Sequence, residues 1–210
     1  MALLQELSEV MQSGNAPKVR ELVARGLTEE VGADALLDAL IGGMNVIGVK
    51  FKNNEVFVPE VLVAARAMNA GMDILKPLLE QSGVKPLGKV VIGTVMGDMH
   101  DIGKNLVRMM MVGAGLEVID LGTDVKPDAF VAAVEKEHAD IVAISALLTT
   151  TMLNMKAVID ALDAAGLRDS VKIMVGGAPV TDNFAKGIGA DSYSPDAATA
   201  AQVAREYVAH

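Results

Sequence analysis

The 210-residue chain contains no cysteine and no tryptophan. Without a thiol there can be no disulfide framework, thiolate zinc site or iron–sulfur cluster. Aromatic residues are also few, four Phe and two Tyr. A core must be assembled from Ala, Val, Leu, Ile and thirteen Met, and methionine adapts to irregular cavities. There is no run of Lys and Arg, and the net charge of −9 opposes nucleic-acid phosphates. No apolar run reaches the roughly 18–20 residues that a membrane span needs. The opening, MALLQELSEVMQ, carries acids and lacks the basic-then-apolar order of a secretory signal. Together these absences predict a cytoplasmic chain that contacts neither nucleic acid nor membrane.

What is present divides the chain in two. Residues 1–84 read as a helical domain. ALLQELSEVMQSG stops at Gly14. NAPKVRELVARG has Asn15 as N-cap, Pro17 in its first turn and Gly26 as stop. LTEEVGADALLDALIGGMNVIGVKF is expected to start at a Thr28 cap, with two glutamates suited to the helix dipole. VPEVLVAARAMNAGMDILKPLLEQSG has helical apolar spacing from Val58 to Leu79. Short connections predict a small antiparallel four-helix bundle. Gly42, Gly43 and Gly48 weaken the third helix but permit close helix approach. SGVKPLGK, residues 82–89, is the expected linker.

Residues 89–210 alternate strand and helix. Strands are expected at 89–95, 117–122, 140–146, 172–177 and 190–194. Helices are expected near 103–114, 127–138, 150–165, 181–188 and 196–208. The first four strands are apolar on both faces, as buried parallel strands are. The fold class is therefore α plus α/β: a four-helix bundle followed by a five-stranded, parallel, doubly wound domain of Rossmann or flavodoxin-like type. In a 2-1-3-4-5 sheet, ligands bind beyond the carboxyl ends of strands one and three. The residues there are Gly97-Asp98-Met99-His100-Asp101-Ile102-Gly103 after strand one, Ser145 to Thr151 after strand three, and Gly176-Gly177 after strand four.

His100 is one of three histidines. A phosphate loop fits poorly around it, because GDMHDIGKN has one residue too many between its glycines and Asn105 stands where a hydroxyl should bind magnesium. G-x-G-x-x-G is absent after strand one. A hydrolytic zinc site wants about three protein ligands, whereas His138 is expected at the far end of a helix and His210 is the last residue. A metal already held by a macrocycle needs only one axial ligand. Its histidine should donate through the other ring nitrogen to a carboxylate, and Asp98 can serve. A structural account makes Asp98 an N-cap for helix 103–114, Thr149 and Thr151 caps for helix 150–165, Phe51 and Val58 bundle core, Gly176-Gly177 a plain turn, and Asp101 a solvated or capping acid.

D-x-H-x-x-G (Asp98, His100, Gly103), S-x-L (Ser145, Leu147) and G-G (Gly176, Gly177) resemble the cobalamin-binding signature of corrinoid methyltransferase proteins. GMNVIGVKFKNNEVFVPEVLVAARAM, residues 43–68, resembles the helical cap of the same family, shared with methionine synthase. The resemblance implies base-off cobalamin or a related corrinoid, methylcobalamin included, with His100 as the cobalt axial ligand and Asp98 as its carboxylate partner. It implies that Met99, Ile102, Gly103, Ser145, Leu147, Thr149, Gly176 and Gly177 line the cofactor site. Phe51 and Val58 would cover the upper face, and Val58 is smaller than the family's frequent leucine. Thr151 stands where the relay has serine. The implied function is methyl carriage, with no catalysis by the chain alone: Co(I) accepts a methyl group from a substrate-specific methyltransferase, and methyl-Co(III) delivers it to a second one that uses coenzyme M or tetrahydrofolate. A reductive activase is a further implied partner. A cobalamin sensor or a mutase subunit is the alternative. A sensor normally needs an output domain, and none is visible.

Overall fold

The computed structural model describes residues 2–82 and 86–209. Most of the expected linker's interior, residues 83–85, and His210 lie outside them. The chain divides into two units, Met1–Pro86 with Gly113–Gly115, and Leu87–Val112 with Leu116–His210.

The helical unit contains α1 (Ala2–Gln12), α2 (Ala16–Thr28), α3 (Ala33–Lys52) and α4 (Val58–Gln81). Leu7, Met11, Leu22, Leu36, Leu40, Met44, Met68 and Leu75 are fully buried between them. Asn15 caps α2 as expected, its Oδ1 accepting from the Lys18 N–H at 3.1 Å. Two expectations fail at the next boundary. Gly26 does not stop α2, which runs on to Thr28. A Cβ on Gly26 would stand 2.7 Å from Leu36 Cδ2, so the glycine serves helix packing rather than termination. Thr28 is not a cap for α3 either. Its hydroxyl donates back to Ala24 O at 3.0 Å inside the last turn of α2, a bond that threonine makes readily in helices. Helix α3 starts at Ala33, behind Gly32 and without a side-chain cap. Gly43 does permit close approach: a Cβ there would lie 2.7 Å from Ser8 O of α1.

The second unit runs β1 (Lys89–Thr94), α5 (Ile102–Gly113), β2 (Glu117–Asp120), α6 (Pro127–Glu137), β3 (Ile141–Ser145), α7 (Asn154–Ala164), β4 (Lys172–Gly176), α8 (Asp182–Ile188), β5 (Ser192–Tyr193) and α9 (Ala197–Val208). The sheet order is β2-β1-β3-β4-β5, and every pairing is parallel. Val91, Val142, Ile144, Ile173 and Val175 pack with Phe130, Val134, Met155, Val158 and Leu162 in one core cluster. Burying a side chain such as Phe130 contributes about 1.5–3 kcal/mol. The order reverses between β1 and β3, which places the ligand crevice of such a sheet at their carboxyl ends. Strand ends fall within two residues of the expected ones. Helix α7, however, begins four residues later than expected, at Asn154. Residues 147–151 turn instead toward Asp98, drawn there by hydrogen bonds to its carboxylate. Among the described residues no helix is long and apolar enough to cross a membrane.

Candidate functional site at the carboxyl ends of β1 and β3

Strand β1 ends with Thr94 paired to Ser145 of β3. The chain then turns sharply at Gly97, whose φ of +82° favours glycine. Asp98 comes next, with no solvent exposure. Its Oδ1 accepts from the His100 N–H at 3.1 Å and from His100 Nδ1 at 2.7 Å. Its Oδ2 accepts from Leu147 N at 2.8 Å, Leu148 N at 3.3 Å and Thr151 Oγ1 at 2.7 Å. Burial pushes the Asp98 carboxyl up, but the hydrogen bonds from Thr151, Leu147 and His100 outweigh it and hold the group well below the usual carboxylate range. The carboxylate is therefore an anion that accepts from the imidazole. In the neutral ring the proton lies on Nδ1, and Nε2 keeps its lone pair. The His100 side chain is 50% exposed, so that lone pair is available to a ligand.

The two loops meet because β3–α7 brings its N–H groups to a carboxylate. This is why Thr151 is not the helix cap that local sequence suggests. The residue before α7 is Leu153, with no side-chain cap, and Thr151 is buried against Asp98. Asp98 likewise does not cap α5. Asp101 stands at that end, its Oδ2 accepting from Asn105 Nδ2 at 3.0 Å.

The other expected residues gather around the same edge. Ser145 is half-buried at the end of β3, and Leu147 and Thr149 are exposed on the loop after it. Gly177 has φ +132°, and a Cβ on it would stand 1.8 Å from Ala146 O. No side chain can occupy that place, so the paired glycines are more than a turn: they let the β4–α8 and β3–α7 connections touch. A Cβ on Gly176 would lie 3.3 Å from Ser194 O. The Ser192 and Ser194 hydroxyls are buried there without a partner. Met99 is 71% and Ile102 80% exposed, and Met96, Leu147, Leu148 and Leu153 are exposed beside them. A Cβ on Gly103 would meet open space. Phe51 and Val58 belong to the helical unit, on either side of its α3–α4 turn, half-buried and exposed respectively.

Sequence reasoning missed several residues. Thr94, fully buried, donates from Oγ1 to His100 O at 2.9 Å. Asn154 donates from Nδ2 to Met96 O at 2.7 Å. Asp124 accepts from Gly97 N at 2.7 Å and donates its own N–H to Asp98 O at 2.9 Å. Lys104, 3% exposed, donates to both Asp120 oxygens, at 2.5 and 2.6 Å. Thr94 is detectable as the polar residue in the buried part of β1. Nothing local marked Asn154. Lys104 also decides against a phosphate loop, because its ammonium is committed to Asp120.

Among the described residues no three of His, Cys, Asp and Glu converge on one point. His138 lies at the end of α6, which leads into the amino end of β3, whereas His100 follows the carboxyl end of β1. The donor set is one imidazole, oriented by a carboxylate, opening onto an apolar surface, with orphan hydroxyls farther along the sheet edge. That set fits a metal whose equatorial positions are filled by a macrocycle with apolar faces and a polar appendage.

Two family models, each described as a B12 binding domain, match residues 88–203 and residues 3–76. The dimethylamine corrinoid protein of Methanosarcina barkeri is 44% identical over 99% of this chain and 98% of its own length. A cobalamin-binding protein from Desulfitobacterium hafniense DCB-2 is similar in structure, with TM-score 0.80 and 34% identity over 97% of this chain and 98% of that one. A chain of the methanol:cobalamin methyltransferase complex MtaBC from Methanosarcina barkeri has TM-score 0.88 and 32% identity over 99% of this chain and 80% of its own.

Proposed function

The chain belongs to the B12-binding corrinoid proteins related to those of methylamine and methanol methyltransferase systems, and on that premise we propose that it is a methyl carrier shuttling between two methyltransferases. Its cofactor is a cobalamin-class corrinoid. When bound, the cobalt of that group supplies a centre that takes up a methyl group and gives it up again. Everything else falls to the protein.

His100 would hold the cobalt through Nε2. Asp98 fixes the ring by holding Nδ1–H, with Nδ1 2.7 Å from its Oδ1. Thr151 takes the relay position through its hydroxyl, 2.7 Å from Asp98 Oδ2. Its extra methyl is accommodated beside Gly97, where even a Cβ would be 3.7 Å from it. Met99 and Ile102 would support the macrocycle, and Gly103, Ser145, Leu147, Thr149, Gly176 and Gly177 would line the slot for its nucleotide tail. Phe51 and Val58 are the helical unit's contribution as a cap. The partners are a substrate-specific methyltransferase that loads the carrier, a second one that unloads it to coenzyme M or tetrahydrofolate, and a reductive activase.

The observation that carries this reading is the saturated, buried Asp98 holding one half-exposed imidazole. The test begins with chain labelled with ¹⁵N-histidine and loaded with cobalamin in the Co(II) state. Electron paramagnetic resonance should show one axial nitrogen whose hyperfine splitting changes with the label. An unchanged splitting sinks the axial assignment. The reduced, loaded protein is then mixed with methylamine- or methanol-specific methyltransferases and their donors. A donor-dependent change in visible spectrum, reversed by the second transferase and its acceptor, supports the carrier. If no donor acts, while light or a ligand changes the protein's association with a regulator, a sensor is the correct reading.

A further inference from the structure

Strand β1 lies between β2 and β3, so the loop carrying His100 has a neighbour on each side. The β3–α7 side holds the Asp98 carboxylate. The β2–α6 side, residues 121–126, grips the same loop.

Three consecutive loop residues are held from there. Gly97 N–H donates to Asp124 Oδ1 at 2.7 Å. Asp98 O accepts from Asp124 N at 2.9 Å. Met99 Sδ accepts from Thr123 Oγ1 at 3.9 Å. Val95 also pairs with Val125 in a parallel bridge, which fixes the height of the two loops relative to each other. Asp98 is thus held by its side chain from β3 and by its carbonyl from β2.

Asp124 makes its two bonds in the left-handed region, with φ +54°. L residues rarely adopt this conformation, and Asp and Asn tolerate it best. Glycine would adopt it at no steric cost, but would leave the Gly97 N–H without its acceptor. Alanine would lose the acceptor and keep the strain. Only Asp or Asn meets both demands: a left-handed backbone that turns its N–H to Asp98 O, and a short side chain whose oxygen reaches Gly97 N. Strain retained beside a working group is a reason to look for function.

We propose that Asp124 is a positioning residue for the axial histidine, setting the place of the imidazole by clamping Gly97 and Asp98 on the side opposite Thr151. The proposal rests on His100 being the axial ligand. It assigns Asp124 no contact with the cofactor. Its working feature is the acceptor oxygen at one distance from the backbone, not the negative charge.

The full-length chain is compared with D124N, D124E and D124G. Asn keeps the acceptor and the backbone preference without the charge. Glu keeps the charge but moves the acceptor by one methylene. Gly keeps the backbone and removes the acceptor. Hydroxocobalamin is titrated into each cofactor-free protein and monitored by its visible spectrum. The exchange rate of the Gly97 amide is measured without cofactor, and the axial nitrogen splitting is measured in the Co(II) state. D124N should bind within about twofold of the parent, whereas D124E and D124G should bind about tenfold more weakly, as for other outer partners of a metal ligand. Gly97 exchange should accelerate in D124E and D124G alone, and the axial splitting should broaden in the same two. If D124G does not fold, the Asn and Glu pair decides. The proposal is overturned if D124N is as weak as D124E, or if Gly97 exchange rises while binding and splitting stay at parental values. A parental protein without a ¹⁵N-dependent splitting overturns the axial assignment instead, which separates the two failures.

Discussion

Asp98 receives five donors, two from His100 and three from the β3–α7 loop. A buried carboxylate without donors would be costly, whereas this one is stabilised as an anion. The consequence is linked to pH. The folded value of Asp98 lies below its ordinary one, so its contribution to stability is fully present above about pH 3.9, the unfolded carboxylate value, and is lost as pH falls through the folded value. Thr151→Val removes one donor and leaves Oδ2 less satisfied. It should destabilise the cofactor-free protein by about 1–3 kcal/mol at neutral pH. The gap between variant and parent should narrow only as pH falls through the folded values, well below about pH 4, because the unfolded carboxyl is the same in both. Thr151→Ser should keep most of the stability. Urea midpoints at pH 7 check both; a Thr151→Ser variant as destabilised as Thr151→Val would mean that the threonine acts by packing.

At the scale of elements, the crevice is made by where the strands stop and by the loops that leave them. Gly177 sits after β4 with φ +132° and no space for a Cβ beside Ala146 O. Gly177→Ala combines a forbidden backbone region with a steric clash, so the β4–α8 and β3–α7 connections must separate. The expected cost is at least about 2 kcal/mol. The displaced loop carries Leu147 and Leu148, two of the donors to Asp98, so hydroxocobalamin binding should weaken with the fall in melting temperature. A variant that melts lower but binds as before would confine Gly177 to a packing role. The late start of α7 has the same cause. The Thr151 hydroxyl turns to Asp98, and the Thr151, Met152 and Asn154 N–H groups close turns onto Leu148 O and Thr151 O before the regular helix begins.

For the whole molecule, cofactor binding is linked to folding. A ligand that binds only the folded state stabilises it by about 2.7 kcal/mol at a hundredfold excess over its dissociation constant. Saturating hydroxocobalamin should therefore raise the melting temperature by several degrees, and His100→Ala should lose a large part of that rise. The cofactor-free melting temperature of this variant should itself fall somewhat, because the buried Asp98 loses the Nδ1–H donor, so the rise on adding cofactor, not the absolute value, is the readout. A parental melting curve indifferent to hydroxocobalamin would count against the carrier reading. The net charge of −9 also suggests partners with basic docking patches, whose association weakens as salt rises.

The sequence by itself determined the two-part plan, the parallel sheet and the place of His100, whereas the order of the strands is seen only in the tertiary structure. These rest on features local in the chain: the change from helical to strand periodicity near Lys89, apolar strands of the right length, and an unusual cluster of Asp98, His100 and Gly103 just after the first of them. The S-x-L and G-G motifs carried the family resemblance for the same reason, as short contiguous signals. Local reading failed where a residue's partner is distant in sequence. Gly26 was read as a stop because glycine often ends helices, but its neighbour Leu36 lies in the next helix. Thr28 reads as a cap, but its hydroxyl bonds back into its own helix, and where local sequence alone would let Thr151 cap α7, it crosses to Asp98, fifty-three residues away. Asp124 and Asn154 reach across twenty-seven and fifty-eight residues to Gly97 and Met96. Only the tertiary structure could decide those roles, because a side-chain hydrogen bond depends on a few ångströms between atoms that parallel strand pairing brings together and chain order does not.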